Sequence, residues 1–241
     1  QKEDAGFEKI ILTMESNMGG SGGFYVGIKR AMEQEADWIW VSDDDAYLKD
    51  DALKQASDYL EEQPDLDKIS AICGKYYYKK GIRICEASIP AEMYEKKEFE
   101  MGSFTYVGTI MNKKKLLEAG LPNKDYFIYW DDLEHGIRMR KAGKIIGVPG
   151  IVAYHDVGEE GSGINWKLYY SYRNMIDTYR KHFSGVCYDY FCLKIRVKIF
   201  LNHMTGHKKL ELNILEEAFK NARQQKFGLH PVYRPGWKPG E

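Results

Sequence analysis

Cysteine is scarce and unpatterned in this chain: Cys73, Cys85, Cys187 and Cys192 form no Cys-x-x-Cys pair. That argues against a zinc site or a disulfide framework and for reduced thiols used mostly in packing. Long apolar runs are also missing, since nowhere do eighteen apolar residues follow one another, which excludes a membrane-spanning helix. The polar start Gln1-Lys2-Glu3-Asp4 lacks the apolar stretch of a signal peptide, so cytoplasmic residence is the expectation. Nor does one sign of charge dominate, the net being −1. That balance conceals a division. Residues 1–163 carry 21 Lys and Arg against 30 Asp and Glu, whereas residues 164–241 carry 14 against 6. An acidic front half suits a metal site, and a basic tail suits an anionic partner.

What is present is an ordinary globular composition of 241 residues, 44% apolar and 29% charged. It is enough for one large domain or a domain with an appendage. The expected division is a domain over 1–163 followed by a basic, mainly helical region over 164–241. Lys9 to Met14 is a short apolar run suited to a buried strand, and it leads into the glycine loop Gly19-Gly20-Ser21-Gly22-Gly23. Phe24, Ile28, Ala31 and Met32 then recur at helical spacing, and Trp38 to Val41 reads as a second strand. Strand, loop, helix and strand make a βαβ unit, whose ligands collect at the carboxyl ends of its strands.

The second strand ends in Asp43-Asp44-Asp45. Three consecutive carboxylates repel one another, and the packed tryptophans before them draw them toward low dielectric, so a cation is the natural complement. In extended chain Asp43 and Asp45 share a face and could offer oxygens to one Mg²⁺ or Mn²⁺. Downstream, Asp51 to Glu62 reads as a helix, Ile69 to Gly74 as a buried strand, and residues 75–101 as irregular structure or a hairpin. Phe104 to Met111 resembles a strand and Lys113 to Ala119 a short helix closed by Gly120.

A second acidic cluster, Asp131-Asp132-Leu133-Glu134, follows the aromatic stretch Tyr126 to Trp130 and opens a helix. One acid there is accounted for by the helix dipole at about 0.3–1 kcal/mol. Three are not, and a carboxylate against an aromatic wall makes a useful general base. Lys144 to Tyr154 reads as strands ending in His155, a residue suited to ligating metal. In the tail, Tyr169, Tyr172, Met175, Ile176 and Tyr179 lie at helical spacing and suggest a docking face. Leu193 to Leu201 alternates apolar and basic residues, with Lys194, Arg196 and Lys198 placed to meet an anionic bilayer. No nucleic-acid-binding module is evident.

Taken in order, Asn17-x-Gly19-Gly20-x-Gly22-Gly23-Phe24, Trp40-x-x-Asp43-Asp44-Asp45, Trp130-Asp131-Asp132-x-Glu134 and His155 resemble the family 2 glycosyltransferases. The similarity is nearest to the galactofuranosyl- and rhamnosyltransferase branch. Tyr169-Tyr170-x-Tyr172-Arg173-Asn174 and Lys226-Phe227-Gly228 look like that branch as well. The resemblance implies an α/β fold of the Rossmann-like GT-A type, with a mixed, mostly parallel sheet flanked by helices and a helical C-terminal appendage. It also implies metal-dependent, inverting transfer from a UDP- or dTDP-linked sugar to a polysaccharide or lipid-linked acceptor, as in cell-wall synthesis at the inner face of a membrane.

By resemblance, Asp43, Asp45 and His155 hold Mn²⁺ or Mg²⁺, and Asp44 touches the donor ribose or sugar. Asp132 is the general base, with Asp131 the alternative. Trp130 and Glu134 receive the acceptor, and Asn17 with Gly19, Gly20, Gly22 and Gly23 let backbone approach the donor. The glycine loop lacks the Lys-Ser/Thr ending of a phosphate loop, which argues against an ATPase. The family's opening strand and its base-reading Asp normally precede the Asn-x-Gly-Gly loop, whereas this sequence starts after them. A truncated or partner-completed subunit is therefore the alternative expectation, and a nucleotidyltransferase or metal phosphohydrolase using the same acids is a third.

Overall fold

A computed structural model describes residues 8–78, 83–84, 89–156, 163–205 and 209–239. Its centre is a mixed sheet built from β1 (Trp38–Val41), β2 (Ala46–Leu48), β3 (Ile69–Tyr78), β4 (Arg83–Ile84), β5 (Phe99–Met101), β6 (Thr109–Asn112) and β7 (Lys144–His155). The strands run in the order β1-β6-β3-β7-β2, with β4 beside β3 and β5 beside β7. Alternation sorts the side chains of β1 onto two faces. Ile39 and Val41 pack with α1 (Gly19–Ala31), α3 (Lys113–Ala119) and α4 (Asp131–Ala142) through Ile28, Leu116 and Met139. Trp38 and Trp40 face the opposite side, where Ala52, Ala56 and Tyr59 of α2 (Ala52–Glu62) cover Ile72, Ile110 and Ile146.

The tail forms α5 (Lys167–His182), α6 (Gly185–Met204) and α7 (Leu210–Arg223), which share a core of Ile176, Cys192, Ile195, Leu215 and Phe219. Leu193 to Leu201 is therefore helical despite its alternating pattern. No helix among the described residues is long and apolar enough to cross a membrane. The described cysteines Cys73, Cys187 and Cys192 are unbridged.

Several expectations are corrected. The sheet is less parallel than anticipated: β3 and β7 pair in parallel, while the other described pairings are antiparallel. The reason is that Lys9 to Met14 does not form a strand. It is coil with Ile11 75% exposed, because among the described residues no neighbouring strand takes up its hydrogen bonds or covers its side chains. The βαβ crossover is thus reduced to α1 and β1, and among the described residues β1 pairs on one edge alone, with β6. The strand predicted over Phe104 to Met111 shortens to Thr109–Asn112. Of the uncertain stretch 75–101, the hairpin of β3 and β4 is formed, and residues 79–82 and 85–88 lie outside the described ones.

The glycines from Gly19 to Gly23 are not a loop either; they are the first turns of α1. Asn17 Oδ1 accepts the Gly19 N–H at 2.8 Å, and Ser21 N–H reaches the Phe127 carbonyl at 3.2 Å. Gly19 sits at φ +69°, and a Cβ there would lie 2.0 Å from the Phe127 oxygen, so glycine is required for close approach rather than for flexibility.

One irregularity aims the sheet at the site. Between the pairs Cys73↔Gly147 and Lys75↔Val152 the register of β3 and β7 shifts, so β7 carries extra residues around Pro149 opposite Gly74. Pro is tolerated at such a bulge because no ladder hydrogen bond is lost there. Beyond the bulge β7 runs antiparallel to β2 with Ala46 opposite His155, which brings the histidine beside the aspartate turn 110 positions earlier.

Candidate active site

The turn from β1 into β2 holds Asp43, Asp44 and Asp45, tied down by Asp156 N–H to the Asp45 carbonyl at 2.8 Å. His155 Nε2 stands 3.0 Å from Asp45 Oδ1 and 3.7 Å from Asp43 Oδ2. One ligand atom from each of Asp43, Asp45 and His155 lies within 4.8 Å of the others. Burial, with the charges of Asp45 and Asp44 adding to it, raises the pKa of Asp43, while His155 works in the opposite sense. Two carboxylates and an imidazole converging in this way suit a hard or borderline divalent cation, which would relieve that repulsion.

These residues line a cavity of about 460 Å³ that also exposes Asp131, Asp132, Gly20, Tyr129 and Lys167. A volume of that order is typical of small-molecule sites. A second groove, about 350 Å³, adjoins it and is lined by Phe104, Tyr129, Trp130, Asp132 and Ser171. Asp132 fronts both. Its Oδ1 accepts the Leu133 N–H at 2.7 Å, which fixes the carboxylate at the first turn of α4. Asn17, Gly19, Gly22 and Gly23 do not line the acidic cavity; they shape the start of α1, whose Gly20 does.

Asp131 is buried, and desolvation pushes its pKa up to about 6, its own backbone and Ser21 opposing and Asp43 adding to the shift. A carboxyl whose folded pKa exceeds its unfolded value of 3.8 keeps its proton longest in the native state. Stability associated with it is then highest at low pH and falls as pH rises from about 4 through about 6. At about 1.4 kcal/mol per tenfold change in protonation, ionising it costs about 3 kcal/mol. Asp131→Asn should therefore raise stability at pH 7 to 8 in chelator by about 1–3 kcal/mol and flatten this part of the pH profile. Urea melts at pH 4.5 and 7.5 test this; equal effects at both values would refute it.

Glu134 is placed differently from its expected acceptor role. Both oxygens are engaged in the protein: Arg138 Nε donates at 3.0 and 3.1 Å, and His182 Nε2 stands at 2.9 Å. Burial alone would raise its pKa, but the bonds and charge of Arg138, with His182 and Lys181, hold it below the usual carboxylate range. The pair joins α4 to α5.

Asn174, Arg173 and Lys167 have places in the structure that the sequence did not disclose. Phe127, Tyr129 and Trp130 all have positive φ, at 69°, 65° and 68°, a conformation that costs non-glycine residues of order 1–3 kcal/mol each. Asn174 holds this turn by donating from Nδ2 to the carbonyls of Tyr126, Ile128 and Tyr129 at 2.9, 3.0 and 2.8 Å. Arg173 donates to the carbonyls of Tyr126 and Gly228 at 2.9 and 2.8 Å, and its Nε bonds Asn174 Oδ1 at 3.0 Å. Lys167, at the start of α5, adds a cation to a cavity that five aspartates line. The only signal for Arg173 and Asn174 was their place in Tyr-Arg-Asn, a charged and an amide residue on an apolar helix face.

The fold is of the GT-A type seen in glycosyltransferases. The crystal structure of GalNAc-T7 with UDP, GalNAc and Mn²⁺ matches 88% of this chain and 44% of that one with a TM-score of 0.53 at 11% identity, a likeness of fold. In sequence the chain is a distant homologue of galactofuranosyltransferases. It is 25% identical to GlfT1 of Mycobacterium tuberculosis over 154 residues, 60% of this chain and 51% of that protein. It is also 26% identical to GlfT2 of Mycolicibacterium smegmatis over 117 residues, 41% and 18% of the respective chains. The chain thus spans about half the length of GlfT1. No family model matches.

Proposed function

We propose that this chain catalyses metal-dependent, inverting transfer of a sugar from a UDP- or dTDP-linked donor to a polysaccharide or lipid-linked glycan. The observation that carries the reading is the meeting of Asp43, Asp45 and His155 in one cavity that Asp132 also lines. In this reading the three ligands hold Mn²⁺ or Mg²⁺, which when bound supplies Lewis-acid neutralisation of the departing nucleoside diphosphate. Lys167 and the α1 N-terminus at Gly20 add positive potential for the phosphates. Asp44 lines the donor side.

Asp132 takes the proton of the acceptor hydroxyl, since it faces both the donor cavity and the groove walled by Trp130, where a sugar ring can stack. Asp131, less accessible, positions the turn. Support for galactofuranosyl chemistry comes from the names of GlfT1 and GlfT2. A second reading, a subunit completed by another chain, is favoured by the open edge of β1, which borders a groove of about 490 Å³ between α1 and β1.

The deciding experiment is a thermal melt with Mn²⁺ and UDP, dTDP or GDP, alongside Asp43→Ala and Asp45→Ala. Ligand at a hundred times Kd stabilises by about 2.7 kcal/mol, which for a chain of this size is roughly 5–10 °C. A metal-dependent shift with one nucleotide, absent from both variants, is expected. Indifference to every nucleotide at saturating Mn²⁺ would remove the enzymatic reading of the isolated chain.

A further inference from the structure

Helix α6 is apolar on two faces. Its buried face, Cys192, Ile195 and Asn202 with Phe191 and Ile199 partly covered, packs against α5 and α7. On another side Val186, Tyr190, Leu193, Val197, Phe200, Leu201 and Met204 are each between 48% and 80% exposed. Apart from Leu201, which widens the ridge by one position, the spacing alternates between three and four residues, so they form one continuous ridge down the helix. At 20 residues the helix is roughly 30 Å long. Single exposed leucines are unremarkable, but a contiguous ridge of seven large apolar side chains marks a contact surface.

The charges beside the ridge choose the partner. At 100° per residue, Arg196 falls on one flank and Lys194 and Lys198 on the other, all three exposed. The helix contains one acid, Asp189, which falls on the Arg196 flank, so the uncompensated positive charge lies on the Lys194 and Lys198 flank. An antiparallel second copy would set Lys194 and Lys198 against their own counterparts, and a nucleic acid would find no use for Leu193 or Phe200. An apolar ridge with a net positive border matches an anionic bilayer: apolar side chains enter the acyl boundary while Lys and Arg stay at the headgroups. The ridge needs no spanning segment, because the helix lies along the surface with its other face on the protein. We infer that α6 seats the protein on a membrane carrying anionic lipid, by insertion of the Val186 to Met204 ridge. This inference stands on α6 alone and is independent of the reaction proposed above.

The test uses the whole chain, without substrate or metal. Sedimentation is measured with vesicles of phosphatidylcholine alone and of phosphatidylcholine with phosphatidylglycerol in about equal parts. Binding to the anionic vesicles, weakened by salt, is expected, with little to the neutral ones. Leu193→Glu with Phe200→Glu should abolish it. Lys194→Gln, Arg196→Gln and Lys198→Gln together should weaken it about a hundredfold, from roughly 1 kcal/mol per basic residue near the surface. All five positions are exposed, so unchanged melting temperatures confirm that the fold is kept. No binding to anionic vesicles at low salt, binding unchanged in either variant, or a dimer dissolved by Leu193→Glu with Phe200→Glu in a chain that ignores vesicles would each overturn the inference.

Discussion

Arg173→Ala should destabilise the chain by about 3–5 kcal/mol, from buried acceptors left without donors and the cavity of a large-to-small change, and lower its melting temperature by roughly 6–20 °C. The guanidinium is 1% exposed and is satisfied by the carbonyls of Tyr126 and Gly228 and by Asn174 Oδ1 rather than by a carboxylate. It also lies over the rings of Tyr169, Tyr170 and Phe227, 5.0 to 5.4 Å from their centroids. Truncation leaves carbonyls without donors and a cavity among aromatics. It also frees Asn174, whose amide orientation depends on the Arg173 Nε bond. Arg173→Lys keeps the charge but not the planar fork and should recover little. Denaturant melts of both variants measure this, and a loss under 1 kcal/mol for Arg173→Ala would show that the turn is held by other means.

Asp132→Asn should reduce turnover by about 10²–10⁴-fold, the usual contribution of a positioned general base. Donor binding, read as the nucleotide-dependent melting shift, should stay unchanged. The asparagine amide can keep the Leu133 N–H contact that Asp132 Oδ1 makes, so the effect falls on proton transfer rather than on folding. Turnover is measured as nucleoside diphosphate released in the presence of acceptor. A variant with near-normal kcat would transfer the role away from Asp132. Retained kcat with a raised KM would mean that Asp132 binds the acceptor and deprotonates nothing.

The acids of the site could be read from sequence because three carboxylates after Trp38 to Val41 are chemically conspicuous without knowledge of the fold. The partnership with His155 followed from the family resemblance and not from local pattern. It depends on the pairing of Ala46 with His155 and on the bulge around Pro149, which are properties of strands far apart in the chain. The positive-φ turn was also invisible: Phe127, Tyr129 and Trp130 are bulky residues, the opposite of the Gly and Asn that announce such backbone. Glu134 left a local clue in Arg138, four residues on, the spacing of a helical ion pair. Lys9 to Met14 misled because an apolar run records what a segment can do, whereas a strand also requires a neighbour. The alternation in Leu193 to Leu201 has the period of a strand, yet the segment is helical, as the resemblance implied: a helix with two apolar sides reproduces that period over a few residues.

The edge of β1 has a consequence for the molecule in concentrated solution. Trp38, Ile39, Trp40 and Val41 contain no Lys, Glu or Pro, the residues that discourage a strand from recruiting another. Among the described residues nothing pairs with that edge, so two molecules meeting there could continue one sheet through both. Such pairing would make the midpoint of unfolding depend on how crowded the chain is with itself.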